Sequence, residues 1–204
     1  MVKLRKDLLR RASRDDSGPT LRDYVLAALY VAGGRLSKFR LVKMLQVATS
    51  HSDRLRELVR FEPHRFGAWS ADIGSMLPWL SEEGVVEESR EGLVLRKEGE
   101  GRKAAVRIGE DAALLREIHE LFRVLSDDEL LVFVYSVYGG HENSEKRRLL
   151  EDRELRLRTA LKLYSKGLVS LTLAARVAGL PTVEFARIAR EKLGGLPAAE
   201  EIIE

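Results

Sequence analysis

Four histidines, His51, His64, His119 and His141, are the residues best placed by type to hold a metal or move a proton at neutral pH. They are scattered, and no pair has the i, i+4 spacing that sets two imidazoles on one helix face. Glu87, Glu88, Glu98 and Lys103 can be grouped into an acidic–lysine set of the kind nucleases use, but solvated charge around a hairpin explains them better. There is no Cys, which excludes disulfides, thiolate chemistry and Cys-ligated metals. Neither a phosphate-cradling Gly-rich loop nor a G-x-S-x-G elbow occurs. The expectation is a protein without catalytic residues, metal or cofactor. What the sequence supplies instead is arginine, 25 of its 35 basic residues.

Those charges are unevenly spread over the 204 residues. Residues 1–60 hold 14 Lys and Arg against 6 Asp and Glu, 61–139 hold 9 against 16, and 140–195 hold 12 against 7. Two basic ends flanking an acidic middle favour contact with nucleic acid through the ends. No apolar run approaches the ~20 residues of a membrane span, and the start, MVKLRKDLLRR, lacks a signal-like apolar segment. A cytoplasmic location is expected.

The elements that must position these charges follow from capping residues and periodicity. Thr20 caps a helix over about 21–32 that ends at Gly33-Gly34. Ser37 opens a second helix to about Thr49, with Phe39, Val42, Leu45 and Gln46 inward and Lys43 outward. Ser70 caps a third, ending at Gly84, and a hairpin follows with its turn at Ser89–Gly92. Lys97–Lys103 reads as a loop or wing tip. An amphipathic helix covers 110–125, and the Ser126/Glu129 capping box opens a helix to Tyr138 that is apolar almost all round. After Gly139-Gly140 come a long basic helix or bent pair over 144–165, a two-turn helix capped by Ser170, a Gly179-Leu180-Pro181 turn, and a helix capped by Thr182 and running to Leu193.

The fold class expected is mainly α: a winged-helix-like domain, helices plus a small β-hairpin, followed by a helix-turn-helix domain. Its parts are a basic arm at 1–18, the winged-helix-like domain with two following helices at 19–139, the helix-turn-helix domain at 140–195 and an acidic tail at 196–204. On the last helix Phe185, Ile188, Ala189 and Leu193 share one face, leaving Val183, Glu184, Arg187, Arg190 and Glu191 opposite. The candidate DNA contacts are Arg187, Arg190 and Thr182 on that helix, with Arg176, Arg153 and Arg156 holding phosphate.

The third helix of the amino-terminal half shows Asp72, Ser75, Pro78, Ser81 and Glu82 outward, a face that repels phosphate. DNA contact there falls to the arm and to Lys38, Arg40 and Lys43. The aromatic elbow of Phe61, Arg65, Phe66 and Trp69 is a candidate protein-binding surface, and packing of its rings under the third helix is the other reading.

Two resemblances carry these readings further. Leu163, Tyr164, Lys166, Gly167, Val169, Ser170, Leu171, Ala174, Ala175, Gly179, Leu180 and Phe185 resemble a family of small prokaryotic helix-turn-helix proteins classed as antitoxins. The stretch from AGGRLSKFRLVKMLQ through FEPHRFGAWSADIGSMLPWLSEEGVV to LSDDELLVFVYSVY is similar to Panacea-type antitoxin domains and related archaeal winged-helix proteins. Those read Pro-Tyr-x-Tyr-Gly-Pro-(Tyr/Phe)-Ser where this chain has Pro63, His64, Arg65, Phe66, Gly67, Ala68, Trp69 and Ser70, so the second proline and the tyrosines are replaced. The resemblances imply a DNA-binding regulator of antitoxin type with a toxin partner. The other reading is a non-catalytic interaction adaptor whose helix-turn-helix is only structural. The apolar helix at 130–138 leads to the expectation of a homodimer with that helix, or its neighbour Leu114–Leu125, near the interface.

Overall fold

Thr20 opens the first helix, α1 (Leu21–Val31). Its hydroxyl accepts from the Asp23 N–H, and its own N–H donates to the Asp23 carboxylate at 2.8 Å, satisfying two of the donors a helix start leaves over. Tyr24 through Leu29 are fully buried, so α1 has no solvent face along its middle and serves as the axis on which the other elements pack. The computed structural model describes residues 18–65 and 67–194. The expected arm up to residue 17, Phe66 and the acidic tail lie outside the described residues.

The two-residue strand β1 (Arg35–Leu36) follows, then α2 (Lys38–Thr49, capped by Ser37), a short α3 (Asp53–Leu58, capped by Ser52) and α4 (Ala71–Glu82, capped by Ser70). A hairpin of β2 (Val86–Ser89) and β3 (Gly92–Leu95) takes β1 onto its free side. The sheet is antiparallel in the order β1-β3-β2, with Leu36 opposite Leu93 and Val86 opposite Leu95. Among the described residues no helix is long and apolar enough to cross a membrane.

The stretch Lys97–Lys103 is not a loop. Residues from Glu98 belong to helix α5 (Glu98–Ile108). Gly99 and Gly101 lower its intrinsic helix propensity, while Ala104 and Ile108 bury against α1 and recover the difference. At Gly101 the two helices lie close together. A Cβ there would lie 2.6 Å from Leu95 Cδ2, 2.9 Å from Tyr30 Cβ and 3.3 Å from Leu26 O. Alanine gains up to ~1 kcal/mol of propensity, but overpacking costs about 1–3 kcal/mol. Gly101→Ala is therefore expected to lower the urea midpoint; an unchanged or raised midpoint would contradict this packing.

Helix α6 (Asp111–Arg123) buries Ala112, Leu115, Ile118 and Phe122, and α7 (Asp127–Tyr138) starts at the Ser126/Glu129 capping box. Every residue from Glu129 to Tyr135 is buried. The all-round apolar helix is covered by its own chain, since α7 packs on α2 and on the later helices α8 (Arg153–Ser165) and α9 (Leu171–Ala178). This removes the argument for a homodimer through α7. A 3-10 turn at Arg147–Leu150 precedes α8, and α10 (Thr182–Leu193) ends the described chain. The buried apolar residues form one cluster from Leu21 to Ala189. The boundary expected at 139/140 thus divides the sequence but not the core.

Candidate nucleic-acid interface

Helices α9 and α10 are fixed by short-range chemistry. The Ser170 hydroxyl accepts from Leu173 N–H at 3.2 Å and starts α9, which buries Leu171, Ala174, Ala175, Val177 and Ala178. Gly179 ends it in the left-handed region at φ 71°, and Leu180 N–H closes back on Ala175 O at 3.0 Å. Pro181, not Thr182, is the N-cap of α10; Thr182 is its first helical residue and is half-buried. The rigid φ of proline suits the entry to the helix.

The buried stripe of α10 is Phe185, Ala186 and Ala189. Phe185 meets Tyr164 of α8 edge to face, ring centroids 5.9 Å apart. Ile188 sits at the stripe's edge, and Leu193, in the last turn, is 38% exposed, so two residues expected inside are not. The opposite face carries Val183, Glu184, Arg187, Arg190 and Glu191, all exposed. Among the described residues Arg187 pairs only with the neighbouring Glu191, at 4.0 Å with both side chains in solvent, a contact worth little in water. Arg190 has no ion pair among the described residues. Arg153, in the first turn of α8, is exposed as well. Two further exposed cations, Lys166 after α8 and Lys192 on α10, belong to the same half. Neither was expected from the sequence, although Lys192 lies two residues beyond Arg190.

The other expected contacts are used inside the fold. Arg156 donates from Nε to Val177 O at 3.0 Å, from Nη1 to Leu150 O at 3.2 Å and from Nη2 to Arg176 O at 3.3 Å. Burial lowers its pKa, and the guanidinium lies so close to Gly179 that a Cβ there would run into it. Arg176 donates to Ser136 O and Val137 O, both at 3.1 Å, neutralising the carbonyl end of α7. Arg158 and Lys162 both face Glu129, at 3.6 and 2.6 Å. Burial alone would raise the Glu129 carboxyl, but the Lys162 hydrogen bonds, the Ser126 N–H and the charges of Lys162 and Arg158 outweigh it and hold the pKa below the ordinary value.

In the amino-terminal half, Lys38 lies 3.5 Å from Glu88 and 5.9 Å from the centre of the Trp69 ring. Arg40 binds Asp127 and two backbone carbonyls of the α6–α7 connection. Lys43, expected outward, is 1% exposed. Its Nζ donates to Gln46 Oε1 at 3.0 Å and Ala68 O at 2.8 Å, and burial pulls its pKa down to about 8. The outward positions of α4 are acidic and neutral as expected, joined by Trp79, 47% exposed with Arg22 stacked 5.8 Å over its ring.

Much of the aromatic elbow also turns inward. Phe61 and Trp69 pack on the core, and Trp69 fits against Gly74. Arg65 pairs with Glu145 at 3.3 Å, while Phe66 lies outside the described residues. Glu87, Glu88 and Lys103 pair separately with Arg96, Lys38 and Glu100, which dissolves the nuclease-like grouping. No protein-family model, curated protein or solved structure matches the chain.

Proposed function

We propose that this chain is a DNA-binding regulatory protein, of antitoxin type, that reads duplex DNA through the exposed face of α10. The observation that carries this reading is that face itself: Arg187 and Arg190 stand in solvent on adjacent turns while Phe185, Ala186 and Ala189 anchor the helix from behind. A guanidinium held on such a face can reach the O6 and N7 acceptors of guanine, and Val183, 82% exposed beside them, suits a thymine methyl. The α9–turn–α10 arrangement supports a helix-turn-helix assignment. The order α1-β1-α2-α3-α4-β2-β3 with strand order β1-β3-β2 supports a winged helix, one whose acidic α4 face would turn it toward protein rather than DNA. The exposed Trp79 on that face favours a second reading, an interaction adaptor.

Salt separates the two. A duplex reader loses affinity steeply as salt rises, with a log–log slope of about −0.9 per phosphate neutralised. Arg153→Ala, which removes a phosphate-facing charge, is expected to weaken selected and random duplexes alike and to flatten the slope by about 1. No measurable salt-dependent duplex binding would favour the adaptor.

A further inference from the structure

Beside the buried Lys43 lies a half-open pocket of about 550 Å³. Lys38, Phe39, Val42, His64 and Trp69 line it together with Lys43, so its walls are mainly apolar and one is a flat indole. The Lys43 ammonium has three N–H donors. Two are spent on Gln46 Oε1 and Ala68 O. Among the described residues no carboxylate lies within ion-pair distance of it, although it is 1% exposed. A buried cation without a counter-ion is costly unless something compensates it. Gly67 lets the loop close on the ammonium: a Cβ there would stand 2.7 Å from Tyr135 Oη and 3.0 Å from Lys43 Nζ.

We propose that this cavity binds a small organic carboxylate with a flat apolar body, the carboxylate taking the third N–H of Lys43 and the body lying against Trp69, Phe39 and Val42. The second ammonium on the wall, Lys38, is already paired with Glu88 at 3.5 Å, so the buried Lys43 in a mainly apolar pocket matches a single negative charge carried on a ring. A phosphate would bring more charge and more acceptors than one remaining donor can satisfy. The inference stands apart from the DNA reading, because none of these residues lies on α9 or α10.

Calorimetric titration of the full chain with 2-naphthoate, 2-naphthamide and inorganic phosphate tests it. Saturable one-to-one binding of the naphthoate is expected, about ten-fold or more tighter than the amide, with no heat from phosphate. Lys43→Met, checked for an unchanged circular dichroism spectrum, is expected to lose the preference for the acid over the amide. The comparison of acid with amide uses the parent chain, so it holds whether or not the variant folds. Equal binding of acid and amide, binding of phosphate alone, or no binding of any probe would overturn the proposal, as would a folded Lys43→Met that keeps the preference.

Discussion

Arg40→Ala is expected to lower the unfolding free energy by about 2–4 kcal/mol, the usual range for breaking a partly buried charged network. The guanidinium donates from Nε to Asp127 Oδ1 at 3.0 Å, from Nη1 to Phe122 O at 2.8 Å and from Nη2 to Leu125 O at 2.7 Å. It therefore joins α2 to the end of α6 and to the first turn of α7, placing a cation where the carbonyls of α6 collect. Alanine removes the side-chain donor from both carbonyls, leaving Phe122 O its backbone partner Leu125 N–H at 3.1 Å, and frees Asp127. Arg40→Lys keeps the charge but not the planar fork, so it is expected to recover only part of the loss. Urea denaturation checks both variants. A parent-like midpoint for Arg40→Ala would mean that the junction is held by packing alone.

The second large effect is a pH dependence that belongs to Lys43. Burial lowers its pKa from the ordinary 10.5 to about 8. Between these values the unfolded chain binds the proton that the folded chain has released, so stability rises with pH. From pH 8 to pH 10 the rise amounts to about 2 kcal/mol, since each ten-fold difference in proton affinity between the two states is worth roughly 1.4 kcal/mol. Tyr24, pushed up to about 12 by burial and by its bond to Asp111, works in the opposite sense only as pH passes the ordinary tyrosine value. Subtracting the curve of Lys43→Met removes contributions common to both chains, Tyr24 included. The difference between parent and variant is expected to change by that amount over the window. A flat difference would mean that Lys43 is not desolvated.

The parts of the fold most legible in the sequence were those decided locally. Ser37, Ser70, Ser126 and Ser170 each cap the helix expected of them, because a cap is a bond between residues three apart. Strand β1 was not legible, since two residues become a strand only when β3 lies beside them. Helix α3, one short turn and a half, gave no periodicity to read. Helix α5 was hidden by Gly99 and Gly101; at Gly101 the reason is the closeness of α1 rather than a local preference for loop, and nothing in the structure explains Gly99. The same contrast runs through the site. Phe185 announced the buried side of α10, and Arg187 and Arg190 follow from it by helix geometry. Arg40, Arg156 and Arg176 looked like phosphate ligands because a sequence does not show which helix ends lack donors. Lys43 looked outward because periodicity assigns one face to solvent, whereas in the fold the loop at Ala68 closes over that face.

The claim that α10 reads DNA is tested most directly by enriching a duplex from random sequence with the parent protein. The double variant Arg187→Ala/Arg190→Ala is then titrated against that duplex and against a scrambled one. Each lost bidentate base contact costs about 1–3 kcal/mol, so the variant should bind the enriched duplex at least about ten-fold more weakly while losing far less on the scrambled one. Failure to enrich any sequence, or parent-like binding of both duplexes by the variant, would contradict the account. Binding that survives in the double variant but vanishes in Lys38→Ala would place the reader in the amino-terminal half instead.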